Sequence, residues 1–132
     1  GQQITIDLCD GAPDEYNERT SITGVIEKIT DKKIQYTHPA AGGSFDDPGR
    51  SALIKITTSA LTTYLVLHEN PVRVIDPVIY EVFDLDVRKF SAVQAKSPNG
   101  FKVGFARVTT AYRLANTEGP TSAGPGPQGC QL

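Results

Sequence analysis

Apolar and polar residues alternate along several short segments of the chain. In residues 3–8, for example, Ile4, Ile6 and Leu8 fall on one face and polar residues on the other. Alternation with a period of two is typical of a half-buried β-strand. We therefore predict strands over residues 3–8, 21–30, 33–37, 51–58 and 61–69. The second and third of these are expected to form a hairpin.

Glycine, proline and charged residues separate these segments. Residues 10–19 are a polar break with room for one or two helical turns at most. Residues 38–50 contain two prolines and three glycines, which predicts an irregular loop. Prolines bound residues 72–76, so that segment is an edge strand at best.

The most regular pattern occurs late in the chain. Residues 78–95 and 101–114 are rich in Val, Phe, Tyr and Thr, and a Ser-Pro-Asn-Gly sequence at 97–100 separates them. Proline and glycine at these positions suit a tight turn. The alternation of apolar and polar residues shifts by one position near residues 88–89 and again near residues 106–107. We predict a long β-hairpin in which a bulge changes the buried face.

These segments together predict an all-β fold. We expect an antiparallel sandwich or a barrel-like pair of sheets, with the long hairpin near the C-terminal end. Residues 1–118 are expected to form a single all-β domain. Residues 119–132 consist mostly of Gly, Pro, Ser and Thr and are expected to form a C-terminal arm.

Composition narrows the class of protein further. The chain has 132 residues, of which 39% are hydrophobic, enough for one core and too many for disorder throughout. No apolar run approaches the roughly 20 residues of a membrane helix, so no membrane partner is expected. A formal net charge of −2 argues against a dedicated polyanion binder. Two cysteines are too few for a disulfide framework or a cysteine-rich zinc module.

Sequence motifs for catalysis are weak in this chain. The two histidines, His38 and His68, have no Gly-x-Ser-x-Gly motif to accompany them. No spacing matches an EF-hand, a zinc finger or HExxH, and no phosphate-binding glycine loop is present. Asp84 and Asp86 alternate as the solvated face of a strand would. We therefore predict a protein that is not an enzyme, with no catalytic, cofactor-binding or metal-ligating residues and no cofactor.

Two cysteines stand near opposite ends of the chain. A bridge between Cys9 and Cys130 within one chain would close almost the whole polypeptide and restrict the unfolded state strongly. A bridge between chains would instead cross-link an assembly, and two free thiols are the third alternative. The sequence leaves these three states open.

A self-assembling structural subunit is the function that these features favour. The hairpin is longer than a small sandwich needs, residues 61–69 are apolar on both faces, and the arm needs a surface to hold it. We expect a viral coat, decoration, tail or filament protein whose partner is itself, located in a virion or outside the cell. The candidate subunit contacts are Phe90, Arg107, Tyr112, Pro125 and Pro127.

Two other interpretations remain. The basic residues of the hairpin could contact nucleic acid, and the candidates are Arg88, Lys89, Arg107 and Arg113. Alternatively, the chain is a secreted binding module, lectin-like or effector-like, closed by a Cys9–Cys130 bridge. Its ligand site would then lie in the loop at residues 38–50.

Overall fold

A computed structural model describes residues 1–8, 20–39, 41–97, 99–109 and 111–115. Strands occupy the first part of the described chain and short helices the second. The strands are β1 (Gln3–Leu8), β2 (Thr20–Thr30), β3 (Ile34–Gln35), β4 (Phe45–Asp46), β5 (Ser51–Thr57) and β6 (Thr62–His68). They are followed by helix α1 (Val78–Glu81), a 3-10 turn (Val87–Lys89) and helix α2 (Phe101–Phe105).

Four strands form the main sheet, in the order β1-β2-β5-β6, and every neighbouring pair is antiparallel. The short strands β3 and β4 form a separate antiparallel pair within the connection between β2 and β5. Strand predominates over helix, and the prediction of an all-β antiparallel fold is confirmed.

The strand pairing divides the side chains of the sheet between two faces. We call face A the side that carries Leu53 and Lys55, and face B the side that carries Ile54 and Ile56. The large apolar side chains of face B are Ile4, Ile6, Leu8, Ile22, Ile26, Ile29, Ile54, Ile56, Leu65 and Leu67. Among the paired positions of the four described strands, face B carries no charged residue, whereas face A carries several.

A bulge in β2 determines the face of the sheet on which the last residues of this strand lie. The register shifts between Ile26 and Lys28, which leaves Glu27 as the additional residue. Lys28 therefore points to face A, where its ammonium donates to the Val82 carbonyl oxygen and pairs with Asp84. The bulge thus ties the sheet to the turn that follows α1.

Gly24 makes room for the side chains of face B. A Cβ at this position would lie 2.6 Å from Cγ2 of Ile54 and 2.8 Å from the Lys55 carbonyl oxygen. The absence of a side chain lets Ile54 lean across β2, and Ile54 is only 1% exposed.

A second apolar cluster lies outside the sheet. Ile34, Tyr36 and Ile79 are buried together, so β3 and α1 share one small core. Phe83 packs near His68, and Phe90 meets the ring of Tyr64 edge-on at 5.6 Å between centroids. His68 and Tyr64 are both on face A. The segment that follows α1 therefore covers face A.

The predicted long hairpin is wrong. Residues 78–95 and 101–114 contain α1, the 3-10 turn and α2 instead of paired strands. Val78, Ile79, Val82 and Phe83 have the spacing of one helical face, and Pro77 suits the first position of a helix. Asp84, whose φ is +64°, ends this helical segment in a left-handed turn. The apolar residues of this region fit both the strand period and the helix period, and packing against the rest of the chain favours the helices.

Other predicted elements differ in detail. Residues 33–37 do not form a hairpin with β2, because Ile34 and Gln35 pair with β4, inside the segment predicted to be a loop. Residues 72–76 are not a strand. Over the described residues, no helix is both long and apolar enough to cross a membrane. Cys9, Cys130, Pro125, Pro127 and the arm at 119–132 lie outside the described residues.

Candidate functional site

Asp76 forms the centre of a polar junction beside the second core. Its side chain is fully buried, and Pro77 follows it at the start of α1. Oδ2 accepts the backbone N–H groups of Thr37 and His38 at 2.9 and 2.8 Å, and the Thr37 hydroxyl at 3.0 Å. Oδ1 accepts the N–H of Val78 at 3.1 Å. One carboxylate therefore joins the strand β3 region to α1.

Arg107 adds a cation to this junction. Its Nη2 donates to Oδ1 of Asp76 at 2.9 Å and to Oε1 of Glu81 at 3.1 Å, and its side chain is 46% exposed. Burial acts to raise the pKa of Asp76, but the donated hydrogen bonds, led by those of Val78 and Thr37, outweigh burial and lower it. The carboxylate is therefore ionised and held from both sides.

Helix α2 approaches the junction through glycine. A Cβ on Gly104 would lie 1.7 Å from the carbonyl oxygen of Ile75, and one on Gly100 would lie 2.6 Å from Cγ2 of Ile75. Only a residue without a side chain permits this approach at 104. The close packing of α2 on Ile75 places Arg107, two residues beyond the helix, within reach of Asp76.

A second network surrounds Tyr36. Its hydroxyl contacts Oδ2 of Asp46 at 2.5 Å and the Arg73 carbonyl oxygen at 2.9 Å. The Arg73 guanidinium contacts both oxygens of Asp46 and lies 4.6 Å from the centre of the Tyr36 ring. Burial and the carboxylate raise the pKa of Tyr36 to about 12, and the bond from Arg73 lowers the pKa of Asp46 to about 2. The network fixes β4 against residues 72–74.

A serine and a histidine meet at one end of the sheet. Ser51 and His68 face each other across β5 and β6, with Oγ and Nδ1 2.8 Å apart. Burial lowers the pKa of His68, which favours the neutral ring. An open cleft of about 330 Å³ lies here, lined by Ile29, Arg50, Ser51, Ala52, Leu67, His68 and Glu69.

Catalysis by a serine hydroxyl requires a base within hydrogen-bond distance, and His68 lies within this distance of Ser51. Ser51 is only 1% exposed, however, so the protein shields its hydroxyl from a bound molecule. The pair therefore acts as a polar clamp between two strand ends. Over the described residues, no group of three His, Cys, Asp or Glu side chains is arranged to hold a metal ion.

Three of the predicted subunit-contact residues, Phe90, Arg107 and Tyr112, lie among the described residues. Phe90 packs against Tyr64 on face A, and Arg107 is engaged in the Asp76 junction. Tyr112 meets Phe101 edge-on at 5.5 Å between ring centroids, and the Lys102 ammonium lies 5.3 Å from its ring. Each therefore makes contacts within its own chain.

Three of the predicted nucleic-acid contacts bond to groups of their own chain. Arg88 forms an ion pair with Asp86 in the 3-10 turn, and Arg107 is held by two carboxylates. Arg113 donates to the carbonyl oxygen of Tyr112, and Lys89 is exposed. Both Arg88 and Arg107 have carboxylates as partners, so a phosphate would have to displace these groups.

The fold and these sites define a small antiparallel β-domain in which polar networks join the β3–β4 pair to α1 and to the segment before it, beside a four-stranded sheet. Residues 1–128 match the family model described as MlrC C-terminus, and the chain belongs to this family. The family is that of the microcystin-degrading, peptidase-related MlrC proteins. No curated protein and no solved structure matches the chain.

Family membership corrects three sequence-based predictions. The chain is not a viral coat, decoration, tail or filament subunit, and neither a capsid nor a virion finds support. The prediction that the protein is not an enzyme is also wrong, because membership of a family of peptidase enzymes points to an enzyme-associated domain. The interpretation as a structural subunit depends largely on the long hairpin, which the structure replaces with helices.

Sequence reasoning missed the Asp76 junction, the Tyr36 network and the Ser51–His68 pair. The Asp76-Pro77 pair is a usable signal, since a short polar side chain before proline often starts a helix. The Ser51–His68 pair follows from the β5–β6 register, which a turn near residues 58–61 would give. No sequence motif connects Arg107 with Asp76, because 31 residues separate them.

Proposed function

We propose that this chain is the C-terminal accessory domain of an MlrC-type, peptidase-related enzyme. In this view the rest of such a protein supplies the catalytic part, and the present domain supports it. The observation that carries the proposal is the family match over residues 1–128, to a model that covers the C-terminus of MlrC.

The character of the described sites supports an accessory role. The Asp76 junction and the Tyr36 network have their hydrogen bonds within the domain, and they fix loops rather than present groups to a ligand. The Ser51 hydroxyl is shielded from a substrate. Such a rigid scaffold suits a domain that holds a neighbouring catalytic part in position.

The direct test removes the domain from the enzyme. An MlrC-type polypeptide that ends in this chain is compared with the same polypeptide lacking residues 1–128, with a microcystin-derived peptide as substrate. We expect the truncated form to lose hydrolysis by at least about tenfold, because misplaced catalytic groups are costly. The 132-residue chain by itself should not hydrolyse the peptide.

Two outcomes would contradict the proposal. Full hydrolysis by the truncated form would show that the domain does not support catalysis. Hydrolysis by the isolated chain, lost in the variant Ser51→Ala, would place the catalytic centre inside the domain. A control variant, Ser91→Ala, changes an exposed serine outside the sheet.

A further inference from the structure

Strand β6 lies at one edge of the main sheet, and its outer side carries unpaired backbone groups. At the end of its ladder with β5, the backbone N–H of Glu69 donates to the carbonyl oxygen of Arg50. Because bonded pairs alternate along an antiparallel ladder, every second residue of β6 points its N–H and C=O away from β5, among them Tyr64 and Val66. Within the part of the chain that the structure describes, these outward groups bond to no other residue.

This edge lacks the features that normally prevent a sheet edge from pairing with another strand. Such features are charged residues, proline and bulges, and β1 at the opposite edge has Asp7 at an outward position. The sequence of β6, TTYLVLH, contains no Asp, Glu, Lys, Arg or Pro, and its register with β5 is regular. Every residue of β6 is at least partly exposed, whereas the central strand β5 contains the buried residues Ser51, Leu53 and Ile54. The edge of β6 is therefore open and able to accept a further strand.

The backbone groups of this edge define the chemistry of what binds there. N–H donors and C=O acceptors that recur at every second residue match the backbone of an extended polypeptide. The side chains of an added strand would alternate between the two faces of the sheet. On face A they would lie beside Tyr64 and Phe90, whose rings meet edge-on, and on face B beside Leu65 and Leu67. The edge therefore favours an extended peptide with apolar side chains.

An open cleft at the end of β6 adds a pocket to this edge. Leu67, Ala52 and Ile29 give it an apolar lining, and its volume is about 330 Å³. Arg50 also lines the cleft, is exposed, and forms no ion pair with a described residue. A peptide side chain that lies opposite Leu67 would border this cleft, and Arg50 provides a cation for a carboxylate of the peptide.

We propose that the outer edge of β6 binds the peptide substrate of the MlrC-type polypeptide as an added strand, an inference that rests on the proposed function. A peptidase-related enzyme has to hold a peptide before cleavage, and an open strand edge holds the backbone of peptides that differ in sequence. Pairing along one short strand, without a large interface, gives a weak and reversible contact. Such a contact suits a substrate that is bound and released better than it suits a permanent partner.

Amide exchange of the 132-residue chain tests the pairing residue by residue. The probe is a linear microcystin-derived peptide, which this chain by itself should not hydrolyse. We expect the amides of Tyr64 and Val66 to exchange at least about tenfold more slowly with saturating peptide, because the added strand accepts their N–H groups. The amide of Thr5, which points outward from β1 at the other edge, is the internal control and should not change.

Two methylated forms of the peptide sharpen this test. Each carries N-methyl groups on alternate backbone nitrogens, and the two forms are offset by one residue. Only one of them keeps the N–H groups that face β6, so only that form should slow exchange at Tyr64 and Val66. This comparison needs no change in the protein.

Val66→Pro tests the edge in the complete MlrC-type polypeptide. Proline removes the outward N–H of residue 66 without removing a bond to β5, and proline is tolerated on edge strands for this reason. We expect the KM for the peptide to rise about tenfold with kcat unchanged, because the lost contact binds the substrate before and during the reaction. Thr5→Pro, which removes an outward N–H from β1, is the matched control and should leave KM unchanged. Exchange of β5 amides in Val66→Pro checks that the sheet is intact.

Several outcomes would overturn the inference. Unchanged exchange at Tyr64 and Val66 with saturating peptide, or equal slowing by both methylated forms, would exclude strand addition. An intact Val66→Pro variant with the original KM would do the same. A fall in kcat at constant KM would assign the edge to a contact with the catalytic part, and a dimer that Val66→Pro dissociates would assign it to a second copy.

The failure of this inference is distinguishable from the failure of the proposed function. If removal of the domain lowers hydrolysis while the peptide leaves the exchange of Tyr64 and Val66 unchanged, the peptide site is wrong and the accessory role stands. If the peptide slows this exchange although removal of the domain leaves hydrolysis intact, β6 binds the peptide and the accessory role is wrong.

Discussion

Asp76 illustrates how a single side chain organises this domain. It is fully buried, and its two oxygens accept hydrogen bonds from Thr37, His38, Val78 and Arg107. Buried carboxylates are tolerated only when donors and an opposite charge compensate for the lost water. Here the compensation includes backbone N–H groups of the distant Thr37–His38 segment and of the nearby Val78. The residue therefore links segments that are far apart in sequence.

Replacing Asp76 by Asn tests this link. The amide has one N–H₂ group where the carboxylate had an acceptor, and Arg107 loses its buried partner. We expect the free energy of unfolding to fall by about 3 kcal/mol, measured by urea denaturation. In the control Asp86→Asn, the affected pair with Arg88 is local and exposed, so the loss should be much smaller. Equal losses in both variants would contradict the linking role.

Short helices in this domain depend on tertiary contact rather than on their own length. Helix α1 has four residues and α2 has five, far below the length at which isolated helices are stable. Packing of Gly104 on Ile75 and burial of Phe105 hold α2 in place. This dependence explains why the sequence pattern of the region predicts strand although the structure is helical.

Gly104→Ala tests the contact on which α2 depends. The new methyl group would overlap the Ile75 carbonyl oxygen, so α2 must move away and Arg107 with it. We expect a loss of at least about 2 kcal/mol in the free energy of unfolding, despite the higher helix propensity of alanine. Val103→Ala on the same helix is exposed and should change stability little. A stabilised Gly104→Ala variant would refute the close approach.

The clamp between β5 and β6 makes stability sensitive to acid. The pKa of His68 is lower in the folded chain than its ordinary value of 6.5, because burial disfavours the charged ring. The contribution of the neutral ring is complete above pH 6.5 and is lost as the pH falls through the lower folded value. We expect the thermal midpoint to decrease between about pH 7 and pH 5. In His68→Gln the part of this decrease that His68 causes should disappear. A pH profile of the thermal midpoint that is the same in the variant and in the original chain would contradict the role of His68.

Sequence patterns predicted the sheet well and the helical layer poorly. Four predicted strands match β1, β2, β5 and β6 within a residue or so at each end. Alternation predicts β1 and most of β2, whereas β5 and β6 are short apolar runs rich in Ile, Leu and Val that turn residues bound on both sides. Residues 78–105 carry clustered apolar residues that fit both helix and strand, and contacts far away in sequence decide between them. The Ser51–His68 and Asp76–Arg107 pairs depend on those same contacts, so the motifs alone did not reveal them.

At the scale of the whole molecule, Leu53 connects the sheet with its covering layer. It is 3% exposed and lies on face A, opposite Val66 and beside Lys28. Its neighbour Lys28 bonds to the turn after α1. Sheet and covering layer should therefore unfold together rather than in separate steps.

Leu53→Ala tests this coupling. The cavity left by truncating a buried leucine should lower the free energy of unfolding by about 2–5 kcal/mol. Fluorescence of tyrosines in both layers and circular dichroism should report the same midpoint. Leu61→Ala, at a leucine 57% exposed, is the matched control and should have little effect. Two separate transitions in Leu53→Ala would indicate independent layers.

The extra residue Glu27 is absorbed by the bulge, so the residues on either side of it keep the alternation of a regular strand. Without the bulge, Lys28 would follow Glu27 onto the isoleucine-rich side of the sheet, and Ile29 would meet the turn at Asp84. Deleting Glu27 would place Lys28 directly after Ile26 and still opposite Leu53, so both Lys28 and Ile29 would keep their faces. We therefore expect this one-residue deletion to be tolerated, with the loss of the Glu27–Lys55 ion pair as its main cost.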